Sequence, residues 1–206
     1  MGLVFVILIH LIGIFALSCI IAFVAAIATY LLSGKEKRRR KIFFSIISPF
    51  IGLYTFYFAA GIGSIIVSYV KDVDIGTGDL WYVPLTDKCQ LTFIDVDEQA
   101  FIEYNNVTVI SNVSHLQQSG SKIYVETYER EYFLFNAQKN KLQEFLNENE
   151  FRNALLTDQV TLKEAPVFYS DRRSEVAGFA LIIAGVVSLA TSLFVLHTIK
   201  KVVLKI

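Results

Sequence analysis

Three stretches without Asp, Glu, Lys or Arg divide the chain: Leu3 to Leu32, Ile42 to Val70 and Val176 to Ile199. Each exceeds the roughly 20 residues that an α-helix needs to cross a bilayer core. A helix at the surface of a soluble domain would show one polar face, and these show none. The pattern predicts three transmembrane helices over residues 3–32, 42–70 and 176–199. As ideal helices rising about 1.5 Å per residue, the first two would reach about 45 Å, so they must tilt, bend or project beyond the lipid. Pro49 removes a backbone donor and marks a kink in the second span. The first run is too long, and its start too free of positive charge, for a cleaved signal peptide, so it reads as a retained span.

Between the second and third runs the periodicity changes. Gln90 to Asp95, Val107 to Ile110, Lys122 to Thr127 and Glu131 to Asn136 are short β-branched or aromatic segments, which predicts strands. Ser119-Gly120 and Tyr128 to Arg130 supply turns that would join them into an antiparallel meander. Asn140 followed by Gln143 is a helix-start pattern, and Leu142, Phe145 and Leu146, then Phe151, Ala154 and Leu155, recur at helical spacing. One or two helices between Lys141 and Leu156 are therefore expected to cover the sheet. Pro166 is expected to interrupt regular structure before the last span. The fold class that follows is a membrane α-helical protein with three transmembrane helices and a small extracytoplasmic α+β domain over residues 71–175. Val107 to Ile110, Lys122 to Thr127 and Glu131 to Asn136, ending at Asn140-Lys141-Leu142, resemble a single β-propeller blade, which implies a lone meander of strands capped by a helix. A whole propeller would need further copies of the unit.

Charge then orients the spans. The loop 33–41 holds Lys35, Lys37, Arg38, Arg39, Arg40 and Lys41 against Glu36 alone, a net of +5, and Lys200, Lys201 and Lys205 make the tail 200–206 basic. Residues 71–175 hold 10 basic and 18 acidic side chains, a net of −8. The zero overall charge is a cancellation between compartments. By the positive-inside rule the loop and tail are cytoplasmic and the N-terminus and acidic domain lie outside, so a multi-pass protein of the cytoplasmic membrane is expected. Arg172 and Arg173 go against that rule and are balanced locally by Asp171 and Glu175. Lipid head groups are the first partner of the basic loop.

Small and hydroxyl residues recur in steps of three and four inside the spans. They are Ser18, Ala22, Ala25 and Thr29 in the first, Ser45, Ser48, Gly52, Thr55 and Ala59 in the second, and Ala177, Ala180, Ala184, Ser188 and Thr191 in the third. Helices in lipid associate by close backbone approach, so these stripes are the expected packing faces, within one bundle or between copies.

Candidate chemistry is sparse. The spans contain no carboxylate or cation, only His10 and His197, which is poor material for a proton or ion relay. Cys19 and Cys89 lie in different segments, and Cys89 is expected in the core. Asp72, Asp74, Gly76, Gly78 and Asp79 fail the spacing of a calcium loop and read as a solvated linker, with Trp81 and Tyr82 near the lipid interface. Asp95, Asp97 and Glu98 are the densest carboxylates and read as a turn. No catalytic, cofactor-binding or metal-binding residue is assigned, and no nucleic-acid partner is expected. Recognition of a protein by the acidic domain, with a basic partner favoured, is the leading expectation, as an envelope-assembly subunit or a toxin-neutralising immunity protein. The alternative is an oligomeric pore or transport subunit lined by the Ser/Thr/Gly stripes and Tyr54, Tyr57 and Tyr69.

Overall fold

The computed structural model describes residues 3–74, 76 and 79–204, and of Leu3, Asp97 and Glu98 the backbone alone. Contacts divide the chain into two compact units, Met1–Val67 with Ala180–Ile206, and Ser68–Phe179.

The first unit holds α1 (Leu3–Leu32), most of α2 (Arg38–Lys71) and the second half of α4 (Ala165–Leu204). All three helices are long and apolar enough to cross a membrane. Their large side chains point outward: Val4, Phe23 and Leu31 are 81, 69 and 71 % exposed. The residues that are buried are mostly small or hydroxyl-bearing, among them Ser18, Ala22, Gly52, Ser188 and Ser192. That inside-out distribution suits helices packed in lipid, where association depends on backbone approach.

Between α1 and α2, the Thr29 and Ser45 hydroxyls share a hydrogen bond of 2.6 Å, Tyr54 donates to the Leu11 carbonyl at 3.0 Å, and the Phe15 and Phe50 rings lie 5.7 Å apart. Between α2 and α4, Ser192 donates to the Gly52 carbonyl at 2.8 Å. Gly63 lies so close to α4 that a Cβ there would meet the Ala184 Cβ at 2.9 Å. Gly63→Val should therefore overpack this crossing and cost about 1–3 kcal/mol. Thermal melting of the solubilised chain would show the loss, and Ala184→Gly in the same molecule should relieve part of it. No relief would mean that this approach does not limit the packing.

The second unit is built on two antiparallel sheets. The first has the order β1-β2-β3-β4, from Leu80–Thr86, Cys89–Ile94, Val96–Tyr104 and Val107–Ile110. The second has the order β8-β7-β6-β5-β9, from Lys141–Phe145, Tyr132–Asn136, Lys122–Thr127, Val113–Ser119 and Lys163–Glu164. Alternate residues turn inward: Val83, Leu91, Ile102, Leu116, Ile123, Val125 and Phe135 are all buried. Tyr104 of β3 meets Phe135 of β7 edge to face, with centroids 5.4 Å apart, and Gln118 of β5 donates to the Leu85 carbonyl of β1 at 2.6 Å. The apolar faces of the two sheets thus share one core.

The other face of the second sheet presents Tyr124 and Tyr132, which α3 (Glu148–Asp158) covers with Phe151. The Phe151 ring lies 5.1 Å from that of Tyr132 and 5.4 Å from that of Phe145. The cap of α3 is Asn147, whose side chain accepts from the Glu150 N–H at 3.0 Å. Gln159 ends the helix in the left-handed conformation. Asn147→Ala should cost about 1 kcal/mol, read as earlier loss of hydrogen-exchange protection in α3. Unchanged protection would show that the cap is dispensable.

Several expectations need correction. Lys141–Phe145 is strand β8, not helix: Asn140 at φ 47 closes the turn from β7, and the cap is Asn147 seven residues later. A single helix therefore covers the sheet. Trp81 and Tyr82 belong to β1 rather than to a linker. The acidic turn is confined to Asp95, at φ 63, and the chain from Val96 onward is β3. Pro166 does not interrupt structure but sits in the first turn of α4, where no intrahelical N–H is required of it. The blade-like stretch spans both sheets, since β4 pairs with β3 while β5 to β8 form a meander in the other sheet. The last long helix begins at Ala165, eleven residues ahead of the charge-free run.

Candidate functional site

The small-residue stripes and the basic residues are placed as follows. Ser18, Ala22, Gly52, Ala177 and Ser188 are buried, and Ala25, Thr29, Ser45, Ser48, Thr55, Ala59, Ala180 and Ala184 are half-buried. Thr191 is exposed and bonds back to the Val187 carbonyl at 2.9 Å; the buried hydroxyl at that level is Ser192. Ala177 belongs to the strand-rich unit. Tyr57 reaches His10 Nδ1 at 3.4 Å and Tyr54 bonds to α1, so both tyrosines serve the α1–α2 contact. Tyr69 is 90 % exposed.

Lys35 and Lys37 lie in the turn after α1, with Lys37 at φ 52, and Arg38, Arg39, Arg40 and Lys41 form the first turn of α2. Arg38 stacks on the Tyr30 ring, 4.0 Å from its centroid, and donates to the Tyr30 carbonyl. Four cations at the positive end of a helix dipole oppose local helix stability. Lys200 and Lys201, by contrast, lie at the C-terminal end of α4, where the dipole favours them.

Among the described residues of the strand-rich unit, one carboxylate is buried, and sequence reasoning assigned it to a solvated linker. Asp74 is 4 % exposed. One of its oxygens accepts from the Tyr169 hydroxyl and lies 3.5 Å from Arg173 Nε; the other accepts from the Gly76 N–H at 2.6 Å. Arg173 also donates to the Asp74 carbonyl at 3.3 Å. Gly76 is at φ +79, a backbone conformation that favours glycine, and a Cβ there would meet the end of the Arg173 side chain at 2.8 Å and displace it. A cleft of about 370 Å³ adjoins this cluster, with Trp81, Phe93 and Ser174 in its walls. Both Asp74 oxygens are engaged, so the cluster pins the segment after α2 to the first turns of α4. Nothing in the pattern of Asp74, Gly76 and Gly78 separated a buried carboxylate from one in a solvated linker. The partners Tyr169 and Arg173 lie almost a hundred residues away in sequence.

Among the described residues the other charged side chains of this unit are exposed or half-buried. Among the described residues, Lys122, Arg152, Lys163, Arg172 and Arg173 are held in ion pairs with Asp158, Glu148, Asp171, Glu175 and Asp74. Half of the ten cations of residues 71–175 thus already have acidic partners. Hydrogen bonds from Lys122 and Tyr124 hold the Asp158 carboxyl below its ordinary range. Cys89 is buried, and desolvation pushes its thiol up to about 12, which removes it as a nucleophile near neutral pH. Asp95 lies in its turn with its N–H bonded to the Asp79 carbonyl, and the Asp97 and Glu98 side chains lie outside the described residues. Among the described residues no group of three or more His, Cys, Asp or Glu side chains is arranged to hold a metal ion.

Fold and charge together define a chain with three helices fit to cross a membrane and a two-sheet unit inserted before the last of them. No family model matches it, and no curated protein or solved structure is significantly similar to it.

Proposed function

We propose that this is a non-enzymatic membrane protein that displays its acidic strand-rich unit outside the cytoplasmic membrane to recognise another protein, as a subunit of an envelope assembly or as an immunity protein against a toxin. The observation that carries this reading is the separation of charge, +5 in the loop 33–41 against −8 in residues 71–175. Arg38 to Lys41 open α2 although its dipole disfavours them there, which supports a role at the lipid surface. Excess carboxylate on the displayed unit would speed encounter with a basic partner and repel acidic ones. The engagement of Tyr54 and Tyr57 with α1 favours recognition over a pore lined by those residues.

Cross-linking in native membranes, mild solubilisation and mass spectrometry of the tagged chain test this. A stoichiometric protein partner, lost as salt is raised, is the expected result. Recovery of the chain alone under every condition, with ion flux from the purified protein in liposomes, would overturn it.

A further inference from the structure

The edges of the two sheets differ in what occupies them. β1 is closed: its Tyr82 carbonyl accepts from the Asp74 N–H at 3.2 Å, its Pro84 has no N–H, and the Pro84 carbonyl accepts from Arg172 at 3.1 Å. β4 is four residues long, and its register against β3 shifts between Ile102 and Glu103. β9 has two residues. β8 has five, in unbroken register with β7, and Lys141 to Glu144 are all exposed. An edge of that kind is a template for one more strand.

The backbone shows which groups of β8 are free to pair. The Thr127 N–H bonds to the Glu131 carbonyl at 3.0 Å and the Ala137 N–H to the Ser121 carbonyl at 2.9 Å. Bonded pairs alternate along an antiparallel ladder, so Phe133 and Phe135 bond to β6, while Tyr132, Leu134 and Asn136 bond to β8. Their partners there are Phe145, Gln143 and Lys141. Leu142 and Glu144 therefore turn their N–H and C=O groups away from β7, along the open edge.

Charge runs in one direction along the same strand. Lys139 and Lys141 stand at its start, Glu144 near its end and Glu150 beyond it. Lys122 and Glu148 are already paired with Asp158 and Arg152, and Arg130 and Glu131, in the turn before β7, carry opposite signs. A strand with this gradient complements its own reverse.

We infer that β8 pairs antiparallel with β8 of a second copy of this chain, joining two five-stranded sheets into one. The register follows from the outward groups. Centring the pair on Leu142 would require Asn140 as strand, but Asn140 is at φ 47 in its turn. Centring it on Glu144 would set two carboxylates directly opposite each other. Centring it on Gln143 pairs Leu142 with Glu144 of the second copy and Glu144 with Leu142 of the second copy, each pair exchanging both of its N–H···O bonds. Lys139 and Lys141 of one copy then stand at the end that carries Glu144 and Glu150 of the other. The contact is isologous and closes at two copies. It does not depend on the recognition reading above.

Gln143 lies on the axis as a non-hydrogen-bonded pair, where Cα atoms are about 4.5 Å apart and within reach of a disulfide. The test is mild oxidation of the full chain in native membranes, with Gln143→Cys in a Cys19→Ala background, read as covalent dimer on a non-reducing gel. Cys89 is buried and stays out of the reaction. Dimer should form, and Thr108→Cys, exposed on β4, should give little. Glu144→Pro removes an outward N–H from each copy and no bond to β7, so it should lower the yield from Gln143→Cys about tenfold with thermal melting unchanged. Lys139→Glu with Lys141→Glu, at exposed sites, should lower it as well. Equal dimer from Thr108→Cys would mean chance collision, and dimer indifferent to both sets of changes would mean a different contact. A cross-link to another protein would assign the edge to that partner. Each of these results, like the absence of dimer, would overturn the inference.

Discussion

Phe151→Ala should detach α3 from the sheet and lower the stability of the strand-rich unit by about 3–5 kcal/mol, the range for removing a large buried aromatic side chain. Phe151 is 1 % exposed, and its ring meets those of Tyr124, Tyr132 and Phe145. An eleven-residue helix is marginal in water by itself, so its existence depends on this contact more than on propensity or its cap. The loss should be local first: amides of residues 148–158 should exchange early while β1 to β6 stay protected. Hydrogen exchange with a thermal melt of the solubilised chain would show this. Full protection of α3 in the variant would show that the small core is not what holds it.

Arg173→Leu should cost less than the full range for breaking a buried ion pair, about 3–5 kcal/mol, because Arg173 itself keeps some solvent contact. Asp74 would be left with the Tyr169 and Gly76 bonds but without its counter-charge, in a site that is 4 % exposed. Asp74→Asn in the Arg173→Leu background should therefore recover part of the loss, since a neutral amide is far cheaper to bury than an unpaired carboxylate. A double-mutant cycle measures that coupling. Simple additivity of the two substitutions would show that the pair is not the pin described above.

Legibility of the fold followed how local the determining interaction is. The three apolar helices were evident because length and absence of charge are properties of the stretch itself. β4 and β6 coincide with their expected ranges because they are short and bounded by turn residues. β8 was misread because Leu142, Phe145 and Leu146 fall at helical spacing. Only pairing with β7, which sets Leu142 opposite Phe135 and Phe145 opposite Tyr132, makes it a strand. β3 was hidden by its acidic start, although Ala100 and Ile102 alternate inward further along. The Asp74 cluster depends on side chains brought together from segments almost a hundred residues apart, and no local pattern announces it. Thr191 kept the spacing of its stripe, yet one residue of drift on the helix turned it outward and put Ser192 in its place.

The first turns of α4 complete the strand-rich unit: Ala165 and Phe168 are buried in it, the Phe93 and Tyr169 rings meet at 5.6 Å, and Arg172 donates to the Pro84 carbonyl at 3.1 Å. Strands β1 to β4 and strands β5 to β8 pair in sequence order within their own sheets, so as the chain leaves the ribosome the meanders can form from contacts already synthesised. The unit cannot close until the helix that carries the third apolar run has been made. Completion of the strand-rich unit and synthesis of the last apolar helix are thereby tied to one stage of chain growth, and a chain truncated before Ala165 would leave the unit unfinished and open to proteases.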